Sequence, residues 1–160
     1  MKTLSALFLC LLILVSAPVW GADFDRGVVA YESGDYATAL REWTPLAEQG
    51  LVEAQYNLGQ MYAKGEGVPQ DYKEAVKWYR RAAEQGYASA QFNLGWMYRN
   101  GEGVVQDYVL AHMWWNIARK NGVADAGEFL NFLEKKMTSS QIAEAQKLAR
   151  ECVAKDYKGC

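Results

Sequence analysis

Apolar residues along this chain recur at helical spacing. Ala54, Leu58, Met61 and Tyr62, and then Ala75, Trp78, Tyr79 and Ala82, fall three or four positions apart, which gathers each set on one face of a helix. No stretch alternates apolar and polar residues as a half-buried strand would. The pattern predicts two helices of about 12 to 14 residues joined by Gly65-Glu66-Gly67-Val68-Pro69-Gln70-Asp71. In that connection Gly65 is placed to end the first helix in the left-handed conformation, and Asp71 to cap the second. Glu74 stands three residues after Asp71, the spacing of a capping box, and Thr138 with Gln141 repeats the arrangement before the last helix. Gly86 and Gly122 are placed to end the second helices.

The same layout occurs twice. Residues 51–86 and 87–122 align without a gap at a period of 36, with 18 of 36 positions identical. The copies share Ala54, Gln55, Asn57, Leu58, Gly59, Met61 and Tyr62, the turn Gly65-Glu66-Gly67-Val68, and Gln70, Asp71, Tyr72, Ala75, Trp78, Ala82 and Gly86. An exposed mid-helix glycine costs helical stability, so the recurrence of Gly59 as Gly95 predicts close helix contact there, as does that of Ala75 as Ala111. Upstream, Asp35, Tyr36, Ala39 and Ala47-Glu48-Gln49-Gly50 keep the phase of a divergent earlier unit whose connecting loop is four residues shorter. Ala126 and Leu130 keep it downstream before the pattern dissolves, as terminal units of an array do.

The segment 1–22 reads as a secretory leader. Lys2 precedes the apolar run Leu7 to Val15, and Ser16, Ala17, Pro18, Gly21 and Ala22 follow. Nine apolar residues are too few to span a bilayer, so the processed chain is expected to begin near Ala22 or Asp23 without a membrane span, and to be periplasmic or secreted. Cleavage removes Cys10 and leaves Cys152 and Cys160, an even pair suited to a disulfide in an oxidising compartment. All 19 acidic residues and 16 of the 17 basic ones lie beyond residue 22, leaving the processed chain at about −3. That charge offers no basic stripe for nucleic acid.

The block AQYNLGQMYAKGEGVPQDYKEAVKWYRRAAEQG resembles a Sel1-like repeat, a relative of the tetratricopeptide repeat. The resemblance covers 51–122 strongly, 23–50 moderately and 123–160 weakly. It implies an all-α fold, a right-handed α/α superhelix of about four helix pairs. The chain then divides into a leader (1–22), a divergent first repeat (23–50), repeats at 51–86 and 87–122, and a capping helix pair with a disulfide-tied tail (123–160). The resemblance also implies an adaptor for envelope or secreted proteins. Some cysteine-rich secreted relatives are associated with β-lactam binding or hydrolysis, but this chain lacks their repeated cysteines.

Little in the sequence supports catalysis. No serine is followed three residues later by lysine, as serine β-lactamases require, and there is no H-E-x-x-H. The single histidine, His112, lies beside Met113 and Trp114 on a predicted helix and reads as packed or surface imidazole. Neither a catalytic residue, a metal site nor a cofactor is predicted.

Positions identical in both copies build the scaffold, so binding is sought where the copies differ. By the resemblance, the inward face of the first helices carries Glu53, Tyr56, Gln60, Ala63 and Lys64, then Ser89, Phe92, Trp96, Arg99 and Asn100. Tyr56, Gln60, Lys64, Phe92, Trp96 and Arg99 are the candidate binding residues. Trp96 and Arg99 share a face and are residue types enriched at interaction hot spots, although Trp96 also suits packing against the next helix pair. A protein or peptide partner is the first reading, and stacking of Tyr56, Phe92 and Trp96 on peptidoglycan or exported polysaccharide the second.

Overall fold

The computed structural model describes residues 21–160; the proposed leader, Cys10 included, lies almost wholly outside them. Among the described residues the chain forms eight helices and no strand: α1 (Phe24–Glu32), α2 (Tyr36–Glu48), α3 (Val52–Lys64), α4 (Tyr72–Ala83), α5 (Ala88–Asn100), α6 (Tyr108–Lys120), α7 (Ala126–Glu134) and α8 (Ser139–Ala154). They stack as a right-handed α/α solenoid. Helices α1 and α2, α3 and α4, and α5 and α6 pair, and each pair packs on the next through its second helix.

Side-chain chemistry sets the ends. Asp71 Oδ1 accepts from the backbone N–H groups of Lys73 (2.9 Å) and Glu74 (3.1 Å), and Asp107 does the same for Val109 and Leu110, satisfying donors that a helix start leaves free. The capping box expected at Asp71 is only half formed, because Glu74 pairs with Lys77 one turn along instead of reaching back. The box at Thr138 and Gln141 is complete. At the other end of α4, Tyr87 N–H donates to Ala82 O (3.1 Å) and Gly86 N–H to Ala83 O (2.9 Å), the Schellman pattern. Gly103 in the second turn is required twice over. Its φ of +70° is left-handed, and a side chain there would run into the backbone of Tyr72 at the start of α4. Gly67 meets Tyr36 on α2 in the same way, so each turn is seated on the preceding unit.

Inside the pairs one motif recurs three times. Gly27, Gly59 and Gly95 lie against the rings of Trp43, Tyr79 and Trp115, which occupy the space a Cβ would need. Trp43 Nε1 donates to Phe24 O (3.2 Å) and Trp115 Nε1 to Phe92 O (3.0 Å). Around these pairs Ala54, Leu58, Met61, Ala75, Ala90, Leu94 and Ala111 are buried. Trp114 is wholly buried, whereas Trp78, 36 residues earlier, is half-buried with the Arg81 guanidinium 4.7 Å from its ring. Trp114 gains its cover because α8 lies along α6, while no such helix covers α4.

A polar ladder joins the units. Buried Gln55 donates to Ala47 O (3.0 Å) and accepts from Gln85 (2.8 Å); Gln91 donates to Ala83 O (3.2 Å) and accepts from Asn121 (2.8 Å). Tyr157, in the tail after α8, continues the series with its hydroxyl 3.2 Å from Asn121. The closing segment, expected as a helix pair, consists of two helices that both pack on α6 rather than chiefly on each other. Cys152 and Cys160 form a disulfide. It folds the tail back so that Lys158 Nζ donates to Glu84 O (2.8 Å) at the end of α4. His112 is buried, with Nε2 2.8 Å from Glu134 Oε1, and ties α6 to α7.

Candidate functional site

The first helices of successive units share one face, and three grooves run along it in series. The first, about 300 Å³, lies between α1 and α3 and includes Val28, Tyr31, Trp43 and Gln60. The second, about 450 Å³, lies between α3 and α5 and includes Tyr56, Gln60, Lys64, Asn93, Trp96 and Glu102. The third, about 310 Å³, is lined by Trp96, Arg99, Glu128, Phe129 and Phe132 of α5 and α7. Gln60 belongs to the first two and Trp96 to the last two, which makes the series continuous.

The predicted positions distribute unequally along it. Tyr56, Gln60, Lys64 and Trp96 line the middle groove, and Arg99 lines the third with Trp96. Phe92 lines none of the three. Its half-buried ring lies 5.2 Å from Phe129 and 6.2 Å from Trp115, so it supports the floor between α5 and α7. Trp96 is 38% exposed, and it also meets Phe129 edge to face with centroids 5.7 Å apart. One edge of the indole thus packs on α7, as the packing reading expects, while the rest stays open. Tyr31, Phe129 and Phe132 were not among the candidates. Phe129 and Phe132 stand three apart on a helix, a spacing that marks a shared face, but they lie beyond the legible repeat.

Tyr31 donates to Glu66 Oε2 (2.7 Å) and accepts from Lys64 Nζ (3.0 Å). Burial, with the bond to Glu66 next, raises the Tyr31 hydroxyl above the usual phenol range. The bond to Tyr31 raises Lys64 in turn. Burial also pushes up Tyr79 and Tyr87. Among the described residues no group of three or more His, Cys, Asp and Glu side chains is placed to hold a metal ion, and no helix is long and apolar enough to cross a membrane.

Residues 52–87 and 88–123 each match the Sel1 repeat family. The chain carries two Sel1 repeats. No curated protein matches the sequence. Among solved structures, a protective antigen present in uropathogenic Escherichia coli strains and displaying an SLR fold superposes with a TM-score of 0.77 at 32% identity, over 82% of this chain and 30% of that one. A Sel1 repeat protein from Oxalobacter formigenes gives a TM-score of 0.66 at 34% identity, over 69% of this chain and 46% of that one. This chain thus spans less than half the length of either. The two Sel1 repeats correspond to α3–α4 and α5–α6, and they supply the middle groove and the Trp96 rim of the third.

Proposed function

We propose that this protein is a non-catalytic scaffold that holds a partner protein, through an extended segment, along the grooves of its first helices. The observation that carries this reading is the continuity of the series from Tyr31 through Gln60 to Trp96 and Phe132. Such a continuous trough suits an extended chain, and exposed aromatic side chains are common anchors at protein interfaces. Sel1 repeats typically mediate contacts between proteins.

The partner belongs, in this reading, to the cell envelope or the secreted fraction. Support comes from the leader pattern of residues 1–22 and from the Cys152–Cys160 disulfide, which persists in oxidising compartments. Sequencing the N-terminus of the protein recovered from cells tests export, with a start near Ala22 or Asp23 expected and an intact Met1 contradicting it. Capture from an envelope extract tests the groove. The wild-type chain and Lys147→Ala should retain the same partner, and Trp96→Ala should lose it. Binding to isolated sacculi with no protein captured would replace the protein partner with a glycan.

A further inference from the structure

Two large aromatic side chains stand more than a third exposed among the described residues, Trp96 (38%) and Phe132 (46%), and both line the groove between α5 and α7. Phe129 joins them, edge to face with Trp96. Burying such rings is favourable only if something apolar covers them. Set among the rings is Arg99, whose guanidinium carbon lies 5.3 Å from the centroids of both Trp96 and Phe132. Its one side-chain hydrogen bond goes to Asn100 Oδ1 (2.8 Å), a neutral acceptor. Among the described residues no carboxylate lies within salt-bridge distance of Arg99, although Glu128 lines the same groove. Lys136 Nζ, likewise without a carboxylate partner, sits 5.0 Å from the Phe132 ring.

These two positive charges run against the sign of the chain as a whole, whose formal net charge is −2. Two cations without an ion-pair partner frame the exposed rings, and one is a guanidinium set between the Trp96 and Phe132 rings. A planar guanidinium set in this way is suited to receive a carboxylate on two parallel N–H groups.

We infer that the α5–α7 groove takes a partner segment in which an acidic side chain adjoins an apolar one, the carboxylate meeting Arg99 and the apolar group covering Trp96, Phe129 and Phe132. This rests on the peptide-binding reading above and specifies its chemistry at one end. The segment is read by shape and charge together. An apolar residue alone leaves Arg99 desolvated and unpaired, and an acid alone leaves the rings in water.

A displayed library of random short peptides, panned on the full chain, separates this inference from the reading beneath it. Enriched peptides should carry Asp or Glu next to Phe, Leu, Ile or Trp, and should bind less tightly as salt rises. Arg99→Gln should weaken them by about tenfold or more, the size of one charge-assisted contact, and Arg99→Lys should restore part of the loss. Lys136→Glu, which reverses an exposed charge beside Phe132, should weaken them as well. Enrichment without acidic residues, or an acidic preference unchanged in both Arg99→Gln and Lys136→Glu, would overturn the charge assignment while leaving peptide binding standing. A library that yields no binder removes both.

Discussion

Gly95 on α5 lies directly beneath the indole of Trp115 on α6, so close that the ring fills the place of the missing side chain, while Trp115 Nε1 donates to Phe92 O at 3.0 Å. The glycine and the ring are one packing unit. The same unit stands 36 residues earlier as Gly59 and Tyr79, where a Cβ would come within 2.5 Å of the ring. Ala is favoured over Gly in a helix interior by about 1 kcal/mol, yet overpacking a close-packed site costs typically 1–3 kcal/mol. Gly95→Ala is therefore expected to destabilise. Urea unfolding should show a lower midpoint at an unchanged slope, and a stabilised variant would refute the pairing.

Leu94, next in the chain, is fully buried. Its truncation to alanine should cost about 2–5 kcal/mol, the range for buried leucines. Against a total of about 5–15 kcal/mol for a domain, a loss of that size will be plain in a melt. An unshifted Tm would refute the placement of α5 in the core.

Glu42 contributes to the acid-side pH dependence of the first unit, in which Asp35 is also held low by its bonds with Thr38. Its side chain is almost wholly covered and accepts from Asp23 N–H (3.1 Å), Arg26 (3.2 Å) and Arg41 (3.3 Å). The backbone bond from Asp23, followed by the two arginines, holds its carboxyl below the ordinary value of 4.5. A depressed folded-state value means that the stabilisation is present above the unfolded value and is lost as pH falls through the folded one. Glu42→Gln should therefore lose less Tm than the wild type between neutral pH and about pH 3. An identical acid-side loss in the two would show that Glu42 contributes nothing to it.

The tail depends on its disulfide. Cys152 and Cys160 hold Tyr157 against Gly86 and Asn121 and bring Lys158 to Glu84. Replacing both cysteines with serine should speed amide exchange around Tyr157 while protection in α3–α6 stays as it was, because a short terminal loop touches little of the array. Loss of protection throughout the repeats would make the bond a requirement of the whole fold.

Much of this architecture is legible in the sequence because it is local and repeated. The 36-residue period, the helical spacing of Leu58 and Met61, the capping aspartates and the turn glycines each follow from chemistry within a few residues. What the sequence conceals is decided by parts that do not repeat. Trp78 and Trp114 occupy equivalent positions, yet only Trp114 is sealed in, because the path of α8 over α6 belongs to the non-repeating end. The third groove follows the same rule. Trp96 and Arg99 stand out as departures from Gln60 and Ala63, but Phe129 and Phe132 lie in a segment where the period has faded. Glu74 shows a further limit, since the capping-box spacing leaves open whether its carboxylate turns back to the cap or forward to Lys77.

The central claim is that a partner protein lies along the grooves, and photo-crosslinking in cells tests it most directly. A benzophenone side chain placed at Gln60, which lines two of the grooves, should give a discrete covalent adduct with another protein. The same group at Lys147, an exposed position of α8, should give none. The adduct at position 60 should disappear when Trp96→Ala is added. Adducts at position 147 with none at 60, or an adduct at 60 indifferent to Trp96→Ala, would contradict the groove as the binding surface.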